Sequence, residues 1–374
     1  MTLTFIDVRI TIKVAKTWAW SLTESLRKHG CDAAESDSKE YQMENCERPS
    51  HPPCLYCGQT DFDVSISGVE DRLGYVPGKR DWLRCRHCGS LMLSPFPSRE
   101  ELPGFYPPVY TFRLDRAKGG WLERLIAFLE YHTFFRLQYQ SQSRRVLRVT
   151  KLTGRSPRLL DVGCGHGLRL VSFRQQGADV HGMDFVPEPV EYVKNELGIP
   201  AVCTDIDGLP EAFPQASFDL VTAFHVLEHV PDVDELMTVC REMLKPGGWL
   251  AIAVPLADST QSALFGSRWV AITEAPRHLS LPTQPAIKAA LERCGFKEVI
   301  SSYDSTLMSA GCFGLSAFPG AASTHFFGQQ RLKGLVLRTC GAAAALCSLP
   351  WCWLENIVWR RPSIGLFLAQ APES

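Results

Sequence analysis

A chain of 374 residues with 45% hydrophobic residues is long enough for two or three domains and a full core. Its 39 basic and 40 acidic residues nearly cancel, which excludes a general electrostatic pull toward nucleic acid or an anionic surface. The 14 cysteines follow no readable secretory signal, because Asp7, Arg9, Lys13 and Lys16 interrupt the first apolar pattern. The expected compartment is therefore the reducing cytoplasm, where paired cysteines hold metal more often than each other.

Residues 2–14 alternate like a strand, and 31–53 are polar and turn-rich, as in a disordered linker. Residues 1–50 are read as a leader, with Met43 a candidate for the true start. Two C-x-x-C knuckles come next, Cys54–Cys57 and Cys85–Cys88, each closed by a glycine. Four thiolates at about 2.3 Å make a closed tetrahedral zinc site, structural because no coordination position stays open. The gap between the knuckles suits a zinc ribbon with a hairpin inside it, over residues 51–100. A redox pair or unconnected cysteines are the alternatives on spacing alone. His87, inside the second knuckle, is an alternative ligand expected to face solvent.

Residues 101–155 read as a loop rich in tyrosine and proline, then a long amphipathic helical pattern over 121–152. Arg144, Arg145, Arg148 and Lys151 come late in that pattern. There they complement the helix dipole on a solvated face, or hold an anionic substrate.

The stretch from Arg158 to Gly167 organises the rest of the chain. A short apolar strand leads through Asp161 into Gly163, Gly165 and Gly167, and a helical pattern begins at Leu168. Glycines let a ligand lie against bare backbone. The third glycine comes one residue too early for the dinucleotide fingerprint G-x-G-x-x-G. A second strand ends at Asp184, where an acid is placed to accept both hydroxyls of a ribose. Strands at 158–162, 179–184, 200–203, 218–223, 249–254 and 297–302 alternate with helices at 167–176, 187–197, 233–244 and 283–294. That alternation predicts a doubly wound, mostly parallel α/β sheet over 156–302.

Four blocks occur in order: LLDVGCGHG (159–167), Asp184, SFDLVTAFHVLEHV (217–230) and LKPGGWL (244–250). Over residues 157–302 the chain resembles the class I S-adenosylmethionine (SAM) methyltransferases. With the cysteine knuckles and the tyrosine loop included, it resembles ubiquinone- and glycan-type relatives that carry an N-terminal zinc ribbon. The resemblance implies a seven-stranded sheet whose antiparallel last strand lies beside the sixth. Ile364–Ala369, within 363–374, is the candidate, which makes 303–362 an insertion expected to roof the substrate.

The resemblance also implies a cofactor site. Gly163, Gly165 and Gly167 lie against the methionine part, and Asp161 orients the loop or reaches the amino group through water. Asp184 holds the ribose. Asp205 receives the adenine amino group with Ile206 offering its backbone, and Asp207 competes for that role. His225 faces the cofactor, and Glu228 and His229 begin the next helix. The H-x-x-E-H of 225–229 is also the inverted zinc-protease motif, but here it follows a strand and Pro231 soon interrupts. His278 and His229 are the candidate catalytic residues, as general base or substrate contact; each has an alternative as a histidine that fixes loop geometry.

Methyl transfer from a sulfonium needs alignment and, for some acceptors, removal of a proton. The expected acceptor is a small molecule, glycan or lipid-linked sugar. The alternative is RNA, contacted by a ribbon in which Lys79, Arg80, Arg84 and Arg86 cluster; neutral charge makes a nucleic-acid partner the weaker expectation. A third reading is a binding module without activity. Residues 305–330 carry no Asp, Glu, Lys or Arg, and 332–359 form an apolar helical pattern interrupted by Pro350. Its longest stretch without an acid, Lys or Arg, 339–354, is 16 residues, short of the ~20 that span a bilayer. It is read as helices packed on the core, or as a surface for peripheral membrane contact through 303–360.

Overall fold

The computed structural model describes residues 51–106, 134–319 and 331–373. The leader, the tyrosine loop beyond residue 106, the first part of the 121–152 helix and residues 320–330 lie outside the described residues.

The knuckle region folds as an antiparallel sheet. Its strands are β1 (Phe62–Glu70), β2 (Lys79–Cys85) and β3 (Leu91–Ser94). Leu91, Met92 and Leu93 are all fully buried, as in a strand covered on both faces. The cover includes a strand not foreseen from sequence: β9 (Ser280–Leu281) pairs with β3 and makes the sheet four-stranded, in the order β1-β2-β3-β9.

The main sheet contains β4 (Arg158–Val162), β5 (Asp179–Asp184), β6 (Ala201–Cys203), β7 (Phe218–Phe224), β8 (Leu244–Pro255), β10 (Lys297–Tyr303) and β11 (Ile364–Gln370). Its order is β10-β11-β8-β7-β4-β5-β6, the doubly wound, seven-stranded arrangement expected. β11 runs antiparallel to both β8 and β10, so it sits between the fifth and sixth strands of this sheet rather than only beside the sixth. Ile364–Ala369 is apolar apart from one glycine and buried throughout, as an interior strand must be. The chain leaves β4 toward β5 on one side and returns to pair β7 on the other. Such a switch point opens a crevice beyond the strand ends.

The insertion emerges where β10 ends and returns where β11 begins. Among the described residues its helices are Thr306–Ala317, Arg331–Cys347 and Leu349–Trp353, followed by a π-helical turn, Leu354–Val358. Pro350 marks the break that the sequence suggests. A Cβ on Gly314 would lie 2.3 Å from the Gly341 carbonyl oxygen, so the two long helices cross on bare backbone. The first helix rests on the segment after β8: Gln261 donates to the Ser309 carbonyl at 2.9 Å, and Phe265 meets Phe313 edge-to-face at 4.9 Å.

Candidate active site

At the end of β4, Gly163, Gly165 and Gly167 all take left-handed φ values, +70°, +51° and +73°. Side chains are excluded there by space as well as by backbone. A Cβ on Gly163 would stand 2.5 Å from Val226 Cγ2, and one on Gly167 would stand 2.9 Å from both Val193 and Leu197. The loop ends at Gly167, the N-cap of the helix Leu168–Gln175.

Asp184 latches this loop. Its Oδ2 accepts the Gly165 N–H at 2.9 Å and its Oδ1 accepts the Val186 N–H at 3.0 Å. Burial pushes its carboxyl above the ordinary value, and these backbone donors pull it back. Lone pairs beyond these backbone bonds are what would accept ribose hydroxyls. Asp161 lies one strand away and is buried too. Thr222 donates to it at 2.6 Å, yet burial pushes its carboxyl up to about 6.

Beyond β6, Asp205 is exposed and accepts the Gly208 N–H at 3.2 Å. Ile206 beside it is half-buried. Asp207 instead pairs with Arg99 at 3.2 Å, so the competing carboxylate is engaged by the segment that follows the ribbon.

β7 delivers the other wall. His225 follows it with φ +58°, a conformation that costs on the order of 1 kcal/mol or more in a non-glycine residue. Glu228 and His229 do not begin the next helix, contrary to expectation. They sit in a 3-10 turn, Leu227–His229, and the helix starts at Val233 with Asp232 as its cap. The cause is Pro231, which holds Val230 extended, at ψ 142°. Glu228 is completely buried, and neither carboxylate oxygen has a hydrogen-bond partner. The Nδ1 of His225 lies 3.4 Å from the Glu228 Oε1.

His229 and His278 meet edge-to-face with ring centres 4.7 Å apart. Nδ1 of His229 lies 3.0 Å from the Arg277 carbonyl and 3.1 Å from the Tyr106 hydroxyl. Nδ1 of His278 lies 2.8 Å from the Ala271 carbonyl. A carbonyl only accepts, so both rings carry their proton on Nδ1 and a lone pair on Nε2. Burial lowers the pKa of His229 and lowers that of His278 further, so both are neutral at pH 7. Side-chain polar atoms of Glu228, His229 and His278 converge within 4.8 Å of one another.

The four knuckle sulfurs also converge within 4.8 Å. Cys54 and Cys88 stand 3.6 Å apart and Cys57 and Cys85 3.5 Å, against about 3.8 Å for the edges of a tetrahedron with 2.3 Å bonds. Gly58 and Gly89 close matching turns onto the Cys54 and Cys85 carbonyls, at 2.8 and 2.9 Å. His87 is exposed.

The ribbon is joined to the histidine wall. Between the first two cysteines, Tyr56 places its hydroxyl 2.9 Å from Ser280 Oγ. Thr283 donates to the Cys88 carbonyl at 2.8 Å while capping the next helix. Arg277, fully buried beside His278, donates to Asp71 from the ribbon at 3.1 Å and to Glu274 at 2.9 Å. Arg72 pairs with the same Glu274. Burial works against the charge on Asp71, but Arg277 and three backbone N–H groups outweigh it and hold the carboxyl below its usual range. Of the basic residues after 121, Arg145 ties down the insertion by donating to the Tyr303 carbonyl at 2.6 Å.

Sequence reasoning missed Glu228, Tyr106, Tyr56, Asp71 and Arg277 as parts of this wall. Glu228 was visible inside the H-x-x-E-H motif, and Tyr106 inside the tyrosine loop. Nothing local marked Asp71.

Residues 133–301 match a family model described as a methyltransferase domain. The ubiquinone biosynthesis O-methyltransferase of Photorhabdus laumondii is 41% identical over 96 residues, which cover 24% of this chain and 40% of that one. The protein of the same name from Sinorhizobium medicae is 37% identical over 155 residues, covering 38% of this chain and 60% of that one. The chain thus spans about half the length of the curated relatives it matches. A SAM-dependent methyltransferase from Archaeoglobus fulgidus aligns at 19% identity over 65% of this chain and 98% of its own, with a TM-score of 0.42. Strand order, glycine loop and family match agree over this stretch: residues 133–301 carry a methyltransferase domain on a doubly wound, seven-stranded sheet.

Proposed function

We propose that this chain transfers a methyl group from SAM to a hydroxyl of a small-molecule acceptor. The observation that carries this reading is the glycine loop latched by Asp184 at the switch point of the sheet. SAM supplies a methyl already activated by a sulfonium. The glycines bind its methionine part, Asp184 its ribose, and Asp205 with Ile206 its adenine; Asp161 holds the loop and His225 stands at its edge. The names of the relatives favour an oxygen acceptor, and a hydroxyl must lose a proton as it is methylated. Two neutral imidazoles beside a buried carboxylate are suited to take it. His278 or His229 is the proposed base, and a glycan or lipid-linked molecule is the proposed form of the acceptor.

The four cysteines are proposed to hold a structural zinc ion, which supports the wall containing His278. An RNA acceptor is disfavoured. Arg86 of the basic cluster pairs with Asp63 and Asp61, and Lys79 lies 4.0 Å from Glu70. The test is incubation of methyl-labelled SAM with fractionated native extract. Label is expected in a low-molecular-weight or lipid fraction, and lost with His278→Ala although that variant still binds cofactor. Label in RNA, or full turnover by His278→Ala, overturns the respective assignment.

A further inference from the structure

The insertion has its polarity reversed. A helix packed on a protein buries its apolar stripe and exposes its polar one. In 346–359 the buried side chains include Ser348, Cys352, Glu355 and Asn356. Glu355 accepts hydrogen bonds from Thr260 at 2.6 Å and from Gln261 at 2.8 Å. The open face carries Leu346 (67% exposed), Trp351, Trp353 (53%), Ile357, Val358 (56%) and Trp359. Trp351 and Trp359 meet edge-to-face at 4.8 Å, so the indoles form one patch.

Charge on this segment has one sign outside. From 336 to 361 the charged residues are Arg338, Arg360 and Arg361 of one sign and Glu355 of the other. Glu355 is completely buried. Arg360 and Arg361 directly follow Trp359 and are exposed. Indoles sit at the level of lipid headgroups, and arginines reach the phosphates around them. Among the described residues no helix is long and apolar enough to cross a membrane.

We propose that the 346–361 face docks onto an anionic lipid bilayer and lies in its interface. The occupant is set by the chemistry of the face: an apolar floor for indoles and aliphatic chains, rimmed only by cations. β10 ends and β11 begins at the edge of the sheet where β8 ends, because Tyr303 pairs Gly365 and Ile364 pairs Pro255. The glycine loop and Asp184 occupy that same edge. Docking therefore brings the ligand edge toward the bilayer and favours an acceptor carried by lipid, an extension that rests on the methyl-transfer reading. Docking itself does not rest on it.

The test is co-sedimentation of the full chain with phosphatidylcholine vesicles containing about one-third phosphatidylglycerol, and with pure phosphatidylcholine, in the absence of SAM. Binding is expected to the anionic vesicles, with quenching of tryptophan by brominated acyl chains. Trp353→Ser with Val358→Ser should weaken binding at least tenfold, and Arg360→Glu at least fivefold, at about fivefold per cation near such a surface. These side chains are open, so the variants should melt like the parent. No binding of the parent, or unchanged binding of both variants, overturns the proposal. So does a parent dimer that Trp353→Ser with Val358→Ser makes monomeric, which would assign the face to a second copy. Because no cofactor is present, failure here leaves the methyl-transfer reading standing.

Discussion

Asp184→Ala tests whether one carboxylate both latches the loop and holds the cofactor. In the protein alone it accepts two backbone N–H groups, at 2.9 and 3.0 Å. Hydrogen bonds to a charged acceptor are worth about 1.5–3 kcal/mol each. Two ribose hydroxyls would add two more of that class, and water entering the gap recovers part of the loss. Taking the lower end, ~3 kcal/mol of binding disappears, about 150-fold in Kd. Calorimetry with S-adenosylhomocysteine measures this without turnover, and a thermal melt of the free protein measures the latch separately. Asp184→Asn should fall between, because its amide keeps one acceptor but turns an N–H toward a second donor. If the melt drops while affinity stays within threefold of the parent, Asp184 is a latch only. The cofactor's sugar would then lie elsewhere.

Chelating the zinc proposed for Cys54, Cys57, Cys85 and Cys88 should unfold the ribbon. Because Trp82 is fully buried there and its Nε1 donates to the Ile272 carbonyl, tryptophan fluorescence should shift to the red; an unchanged spectrum would refute a structural metal. The histidine wall predicts a pH dependence. The folded pKa values of His229 and His278 lie below the unfolded value of about 6.5, although Glu228 partly opposes the shift at His229. Their contribution to stability is complete above that value and is lost as pH falls through it toward the folded values. Urea midpoints measured from pH 7.5 to 5 should fall, less steeply for His278→Asn; equal slopes would contradict the assignment. Gly163→Ala combines a left-handed φ with a 2.5 Å approach to Val226, and should cost about 1–3 kcal/mol. Adding Val226→Ala should restore only the part due to the clash, as read from denaturant midpoints; full restoration would mean that the backbone angle carries no cost.

The parts of this protein that its sequence determined are those held by neighbours in the chain. Strand, glycine turn and helix between 158 and 175 arise from apolar periodicity and from a turn that only glycine fills without strain. The acid at the tip of β5 is set by its place in that pattern, and each cysteine knuckle by four residues and a glycine. β11 was legible because an interior strand must be apolar on both faces. The wall of the site was not. Arg277 meets Asp71 across 206 residues of sequence, and Tyr56 meets Ser280 across 224. Neither contact leaves a local signature, since a buried arginine is written like an exposed one. Helical periodicity likewise showed an apolar helical pattern in the insertion, but not which side of it faces the protein. Only packing decided that Glu355 faces inward and the tryptophans outward, because Thr260 and Gln261 were there to receive the carboxylate.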